Sequence, residues 1–181
     1  MFGIILGVVA ALVVFGVYVY NRCVSLKNFV KEAFATMDVY LKKRWDLIPN
    51  LIESVKGYVA HESGLMEKLT ALRVKDYVAM SNTEKLDVNK QMGALFPQIN
   101  AVAENYPELK ASQTFENLMN QLGSVEEDIA NARKYYNAAT REYNTFIQMF
   151  PANLLAGAFG FRQEEMFEIA ENERQAVKVS F

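Results

Sequence analysis

The residues of this chain that could do chemistry are few and poorly grouped. His61 is the single histidine and Cys23 the single cysteine among 181 residues. His61-Glu62 matches the start of the zinc-protease motif His-Glu-x-x-His, but no second histidine exists to complete the metal ligands. No serine or cysteine nucleophile can be paired with a histidine other than His61, and there is no glycine-rich phosphate loop. We therefore expect no catalytic, cofactor-binding or metal-binding residues, and no small-molecule substrate.

Carboxylates are plentiful, with 21 Asp and Glu residues, but most fall on the solvent faces of predicted helices. The inward-facing Glu-x-x-His pairs with which helical bundles hold two metal ions are missing. The formal net charge of −2 creates no strong positive field to attract nucleic acid. The sequence thus favours neither an enzyme nor a nucleic-acid-binding protein.

Arg44 is the first of two polar features that remain as candidate sites. It takes the one missing place in an apolar stripe whose steps alternate four and three, which is the pattern of a helix face. A guanidinium in such a place needs a carboxylate or carbonyl partner, or must reach water along its stem, and Glu126 is the candidate partner. The stripe consists of Val30, Phe34, Met37, Leu41, Ile48, Leu51, Val55 and Tyr58.

The second feature is a polar stripe formed by Glu126, Arg133, Asn137 and Asn144. Their separations of seven, four and seven put them on one face of a helix. One interpretation is a structural network that fixes the register of the helices. The other is a recognition surface for a protein partner.

Long helices must position these residues. The helix that carries Arg44 is predicted from Val24 to about His61, and Pro49 should kink it rather than end it because the apolar stripe resumes in phase. After a turn at residues 62–64, further helices are predicted over 65–80 and 86–105, the second with a kink or break at Pro97.

The most regular pattern of the chain is a second apolar stripe, which extends over five heptads and resembles a coiled-coil seam. It predicts one long helix that ends before Pro151. Residues 153–160 are predicted to be an apolar loop, either buried or near a membrane, and a short last helix should follow from Glu164 to about Val177. The stripe consists of Phe115, Leu118, Leu122, Val125, Ile129, Ala132, Tyr136, Ala139, Tyr143, Phe146 and Phe150.

The N-terminal segment Phe2–Tyr20 is apolar and has no charged residue. As a helix it spans roughly 28 Å, close to the ~30 Å hydrocarbon core of a bilayer. A cleaved signal peptide is the alternative, but it would want a basic start and small residues before the cleavage site, whereas Tyr18 and Tyr20 suit a membrane interface. We predict a transmembrane anchor over residues 2–20 and a helical bundle over 22–181, hence an all-α protein with an antiparallel, four-helix-type bundle.

Gly3, Gly7 and Ala11 share one face of the anchor. Small residues spaced four apart allow transmembrane helices to approach closely, so this face is a candidate contact between copies. Cys23 lies just outside the anchor, and its position suggests lipoprotein acylation, but Arg22 stands where a small residue would be expected. An ordinary interface residue is the simpler interpretation, and reversible acylation is the alternative.

Basic residues predict the orientation. Arg22, Lys27 and Lys31 follow the anchor, while only the terminal amine precedes it. The positive-inside rule then puts the bundle in the cytoplasm and the N-terminus outside.

A set of residues spread over nearly the whole chain matches the pattern of one known family. The residues are Tyr20-Asn21, Asp38, Leu41, Arg44, Leu47-Ile48-Pro49-Asn50-Leu51, Gly57-Tyr58, Glu62, Arg73, Tyr106-Pro107, Leu109-Lys110-Ala111, Phe115, Leu118, Leu122, Glu126, Ile129, Ala132-Arg133, Tyr136-Asn137, Tyr143-Asn144, Phe150-Pro151 and Phe159-Gly160-Phe161. By these residues the chain resembles the LemA family of bacterial membrane proteins. Phe34 stands where the family often has tryptophan, and Cys23 where an aliphatic residue is usual. The resemblance implies a single-pass protein of the cell (inner) membrane with a long-helix bundle, and it supplies no activity and no catalytic residues.

Two hypotheses for the function follow. The first is a membrane-anchored scaffold or structural protein that self-associates into a homo-oligomer in the lipid bilayer. The second is a membrane-tethered adaptor that binds another envelope protein, such as a membrane protease or a regulator. The oligomeric mass separates them, because a large homogeneous particle favours the scaffold and a monomer favours the adaptor.

Overall fold

A computed structural model describes residues 1–58, 63–73 and 76–167 of the chain. Within these ranges the chain forms helices joined by turns and extended segments, with no β-strand, which confirms the all-α prediction. The helices are α1 (Phe2–Lys56), α2 (Ser63–Arg73), α3 (Asn82–Asn105), α4 (Pro107–Lys110), α5 (Gln113–Gln148) and α6 (Ala152–Ala158), with a 3-10 turn at Tyr77–Ala79.

The chain divides into two compact units. The core unit is Met37–Asn131, and the anchor unit combines Met1–Thr36 with Ala132–Phe181. Helices α1 and α5 each contribute residues to both units. The boundary between an anchor over 2–20 and a bundle over 22–181 remains a prediction.

Helix α1 buries the stripe that the sequence identified and extends it back to Val19. Two members of the stripe differ from the prediction. Phe34 is half-buried, whereas Ala33 takes the fully buried place, and Tyr58 is half-buried and lies beyond the end of the helix. The helix continues through Pro49 and ends at Lys56, earlier than predicted; His61 lies outside the described residues. The buried side chains are Val19, Cys23, Leu26, Val30, Ala33, Met37, Leu41, Arg44, Ile48, Leu51 and Val55.

The core unit is built around four helices, α1, α2, α3 and α5, whose apolar stripes meet in one cluster. Helix α2 begins at Ser63, where a turn was predicted, and ends at Arg73 instead of near residue 80. Helix α3 begins with a capping box, in which the Ser81 and Glu84 side chains each bind the other's backbone N–H, and it continues through Pro97. The cluster contains Ile48, Leu51, Val55, Leu65, Leu69, Leu72, Val88, Met92, Leu95, Ile99, Ala103, Leu109, Phe115, Leu118 and Leu122.

Helix α5 follows the predicted heptad stripe up to Tyr143 and then departs from it. Phe146 is half-buried, Ile147 is buried in its place, and Phe150 is 79% exposed. The helix ends at Gln148, so the three-and-four spacing no longer determines which way Phe150 points. The prediction that Phe150 belongs to the buried seam was wrong.

The segment after α5 also differs from the prediction. Residues 152–158 form the short helix α6 instead of a loop, with Ala152 and Ala156 buried. Gly160 has a φ of 76°, in the left-handed region that glycine adopts readily, and it ends this helical turn. Residues 161–167 are not helical, so the predicted last helix does not begin at Glu164; residues 168–177 lie outside the described residues.

Candidate functional site

Arg44 is the most deeply buried charged residue of the described chain, with a side chain 0% exposed. Its Nη2 lies 2.8 Å from Oε2 of Glu126, and its Nη1 donates a hydrogen bond of 2.8 Å to Oδ1 of Asn89. The guanidinium lies 4.5 Å above the ring of Phe96, at cation–π distance. Glu126, the partner named from the sequence, therefore contacts Arg44.

Three helices of the core unit provide this site. Asn89, Gly93 and Phe96 occupy successive turns of one face of α3, opposite Arg44 on α1 and Glu126 on α5. A Cβ atom added at Gly93 would lie 3.4 Å from Nη2 of Arg44, so the glycine provides the space next to the guanidinium. The Glu126 side chain is 43% exposed, so the ion pair connects the buried cation with the solvent. This geometry stabilises the crossing of α1, α3 and α5.

A second polar cluster in the core unit was missed by sequence reasoning. The Tyr77 hydroxyl donates to Oδ1 of Asp38 at 2.6 Å, and Nζ of Lys85 donates to Oδ2 at 2.7 Å. Lys85 Nζ also lies 4.9 Å from the centroid of the Tyr77 ring. Burial and the Asp38 carboxylate raise the pKa of Tyr77, so it stays a proton donor. The cluster fastens the 3-10 turn and the start of α3 to α1.

In the anchor unit, Asn137 and Asn144 bind an extended segment, residues 162–167, which we call the strap. Asn144 Nδ2 donates to the Glu164 carbonyl at 2.8 Å while its Oδ1 accepts from the Glu164 N–H at 2.9 Å. Asn137 Nδ2 likewise donates to the Phe167 carbonyl at 2.9 Å, and its Oδ1 accepts from the Phe167 N–H at 2.7 Å. Each amide thus satisfies both backbone groups of one strap residue, as a neighbouring strand would do.

Two tyrosines supplement the asparagines. The Tyr143 hydroxyl donates to the Arg162 carbonyl at 2.8 Å, and the Tyr136 hydroxyl donates to the Glu165 carbonyl at 2.9 Å. Burial raises the pKa of both tyrosines, which keeps them protonated donors.

The spacing of the two Tyr-Asn pairs explains why the strap is extended. Seven residues of helix rise about 10.5 Å. Three residues of extended chain, the distance from Glu164 to Phe167, cover about 10 Å. The two asparagines are therefore in register with an extended segment that runs antiparallel to α5, and a helix over the same residues would cover less than half that distance.

Side chains of the strap add two contacts. Lys27 Nζ lies 3.2 Å from Oε1 of Glu164, and the Arg133 guanidinium lies 4.3 Å above the Phe167 ring. The polar stripe predicted from the sequence therefore has two roles in the structure. Glu126 pairs with Arg44 in the core unit, whereas Arg133, Asn137 and Asn144 bind the strap in the anchor unit.

The other sequence candidates are Gly3, Gly7, Ala11 and Pro49. The first three lie on the exposed N-terminal part of α1, and a Cβ added at Gly3 or Gly7 would meet no described atom within 4 Å. Pro49 is half-buried inside α1. Because a proline has no N–H to donate, the helix lacks one backbone hydrogen bond there.

Within the described ranges, no group of three His, Cys, Asp or Glu residues is placed to hold a metal ion. A groove of the core unit, about 470 Å³ in volume, is lined mainly by amides and hydroxyls, with Glu53 as its only ionisable residue. The hydroxyls belong to Ser54 and Thr114, and no histidine, lysine or arginine lines the groove.

A model of the LemA family matches residues 33–181. This chain belongs to the LemA family. The matched range includes the Arg44 site, the Asp38 cluster and the asparagines that bind the strap. It begins after the apolar segment 2–20, so the membership rests on the helical bundle.

Several known proteins are similar in sequence to this chain, at identities of 23–26%. Protein LemA of Metamycoplasma hominis is 24% identical over 161 residues, which cover 88% of this chain and 74% of that protein. Magnetosome protein MamQ 2 of Paramagnetospirillum magneticum is 26% identical over 175 residues, or 82% of this chain. Magnetosome protein MamQ of Magnetospirillum gryphiswaldense is 23% identical over 174 residues. The match spans 64% of each MamQ protein, less than two thirds of its length, and none of these names denotes an enzyme.

Helix α1 also meets the criteria of a membrane span. It is the one described helix that is long and apolar enough, and only 6% of its most apolar window is buried inside the chain. The family and this helix together indicate a membrane-associated protein.

Proposed function

We propose that this LemA-family chain is a membrane-anchored helical scaffold protein that self-associates and has no enzymatic activity. The proposal rests on the distribution of exposed and buried residues along helix α1. Its N-terminal third is apolar and exposed, and the same helix continues without a break into the buried stripe of the bundle. A helix of this kind gains nothing from its exposed apolar part in water, but it couples a lipid-embedded segment directly to the folded part of the chain.

The use of the polar side chains supports a scaffold over an enzyme. Arg44, Glu126 and Asn89 bind one another, and Asn137 and Asn144 bind backbone groups of the strap. Active sites keep some polar groups poised towards a substrate, with perturbed pKa values and space around them. Here the conspicuous polar groups are used to hold the chain together.

We place self-association in the membrane-proximal part of the chain. The open face of Gly3, Gly7 and Ala11 permits close approach of two anchors. Helix α1 then continues from this face into the bundle. Copies that meet through their anchors would then hold their bundles at a defined spacing on the membrane.

The mass of the full-length protein in mild detergent tests this proposal. We expect a homogeneous oligomer for the natural sequence and a smaller particle for Gly7→Leu, with helix content and melting unchanged. Val9→Leu enlarges a side chain on the opposite face of α1 and should leave the mass as it is. A monomeric natural protein would contradict self-association.

We further propose that the bundle lies in the cytoplasm. Arg22, Lys27 and Lys31 follow the anchor, and this excess of positive charge favours the cytoplasmic side. Protease added to spheroplasts should then spare the bundle until the membrane is permeabilised. Digestion of the bundle in intact spheroplasts would reverse the orientation.

The strap favours a second candidate, a membrane-tethered adaptor. The side-chain amides of Asn137 and Asn144 hydrogen-bond to backbone groups of an extended segment, so this face of α5 is suited to bind main chain of other sequences as well. An adaptor would use it for an extended segment of another envelope protein, in place of its own strap. A monomeric mass together with release of the strap by such a partner would favour the adaptor over the scaffold.

A further inference from the structure

In the segment after α5, small apolar side chains are buried and large ones are exposed, which is the reverse of what a domain surrounded by water favours. Residues 149–161, which we call the apolar hairpin, contain α6 and no charged residue. Its small side chains Ala152 and Ala156 are buried, whereas Phe150 is 79% and Leu154 65% exposed. Exposed large apolar side chains concentrated in this way mark a surface that meets lipid or protein.

The hairpin lies beside the end of the predicted anchor. The ring of Tyr20, the last anchor residue, meets Phe159 edge-on at 5.3 Å between centroids and Phe161 at 5.8 Å. Tyrosines prefer the membrane–water interface, and a helix over residues 2–20 is just long enough to put Tyr20 there. With the anchor in a membrane, these ring contacts would hold the hairpin at the level of the bilayer surface.

Basic residues follow the apolar hairpin and the anchor closely in the sequence. Arg162 follows the hairpin directly and is exposed, and Arg22, two residues after Tyr20, pairs with Glu142 at 2.9 Å. The strap then holds the following residues against α5. This order, with apolar residues next to the anchor and basic residues just beyond, is the order of an element that lies in the interface of a membrane.

We propose that the apolar hairpin is a second membrane contact, with Phe150, Leu154 and their neighbour Met149 inserted at the boundary of headgroups and acyl chains of the bilayer that holds the anchor. The partner is lipid, because the hairpin contacts Tyr20, the residue at which the proposed anchor leaves the bilayer. The inference rests on the proposed membrane anchoring of α1. It adds a second point of attachment, which fixes the rotation and tilt of the anchor unit relative to the bilayer.

Depth measurement with a nitroxide label tests the proposal on the full-length protein. The protein carries Cys23→Ala and one new cysteine, and is reconstituted in vesicles of equal amounts of phosphatidylcholine and phosphatidylglycerol. Collisions of the label with oxygen, which concentrates in lipid, are compared with collisions with a water-soluble nickel chelate. At Leu154→Cys we expect the ratio of oxygen to nickel collisions to be several-fold higher than at Val78→Cys, a matched site in the core unit that is 80% exposed.

A third label at Val9→Cys separates the two proposals. Lipid-like collisions at Val9 with water-like collisions at Leu154 would overturn the hairpin contact and leave the anchor intact. Water-like collisions at Val9 would overturn the anchor and the hairpin contact together. A Leu154 label that neither reagent reaches would show that protein covers the hairpin, which also overturns the lipid contact.

Discussion

The core unit and the anchor unit use their residues in opposite ways. Of the described residues in the core unit, only Val39 and Val78 are large, apolar and exposed, and the unit even buries a charge, Arg44, among its helices. The anchor unit exposes nearly all of residues 1–18 and most large side chains of the apolar hairpin. The core unit buries nearly all of its described large apolar side chains within itself, whereas the anchor unit presents an apolar surface of the kind that meets lipid or another chain.

The two units also differ in what their buried and half-buried polar side chains bind. In the core unit, Arg44 on α1 binds the side chains of Glu126 on α5 and Asn89 on α3, so these contacts depend on the types of the three residues. In the anchor unit, Asn137 and Asn144 bind backbone, so the residue types of the strap matter less than its extended shape. We therefore expect mutations in the core set to lower global stability and mutations of the asparagines to act locally.

The largest effect is expected for Arg44→Ala. It should lower the free energy of unfolding by about 3 kcal/mol, because it leaves a cavity and strands the Asn89 amide, which is 3% exposed. Glu126 adds less to the cost than an enclosed partner would, since its side chain can turn to water. For a chain of this length the melting temperature should fall by about 6–12 °C, measured by circular dichroism in detergent.

Lys43→Ala is the matched control for Arg44→Ala, because it removes the exposed cation next to it in α1. It should change the free energy of unfolding by less than about 0.5 kcal/mol. A melting temperature for Arg44→Ala within a degree of the natural protein would show that the buried ion pair does not hold the core unit together.

The double variant Asn137→Ala, Asn144→Ala should have the next largest effect, confined to the anchor unit. It removes four hydrogen bonds to the strap, and the free energy of strap opening should fall by about 2 kcal/mol. Hydrogen exchange at the Glu164 and Phe167 amides should accelerate, while exchange in the core cluster stays as it was. Asn131→Ala, an exposed asparagine on the same helix, should change neither. Unchanged exchange at Glu164 and Phe167 would mean that the asparagines are not what holds the strap.

Tyr77→Phe should have the smallest effect of the three. It removes the hydrogen bond to Asp38, which keeps Lys85 as a partner, so the expected loss is about 1 kcal/mol in denaturant unfolding. Tyr135→Phe, at a tyrosine that is 41% exposed, serves as the control. A Tyr77→Phe protein as stable as the natural one would show that the hydrogen bond from Tyr77 to Asp38 does not stabilise the core unit.

Patterns along the chain predicted the parts of the fold that depend on local periodicity. The stripes of α1 and α5 identified most of the buried positions from Val30 and from Phe115 onwards, and the gap in the first stripe pointed to Arg44. Glu126 could be named as its partner because a carboxylate in a matching stripe is visible in the sequence.

Contacts distant in sequence explain what could not be predicted. The strap is extended because two Tyr-Asn pairs on α5 bind its backbone. The sequence of residues 162–167 does not itself indicate an extended conformation. The Asp38 cluster joins residues nearly 50 positions apart through a short 3-10 turn. Helix α6 was mistaken for a loop because its glycine and short length hide a helical turn whose two alanines face inward.

Disulfide formation between copies in native membranes tests the central claim most directly, that these proteins associate through one face of their anchors. Ala11→Cys, in a Cys23→Ala background, lies on the face with Gly3 and Gly7, and Val13→Cys lies on the opposite face of the same turn. We predict that mild oxidation joins two copies through Cys at position 11 and not at position 13. Equal yields at both positions, or a dimer at position 13 alone, would contradict association through this face.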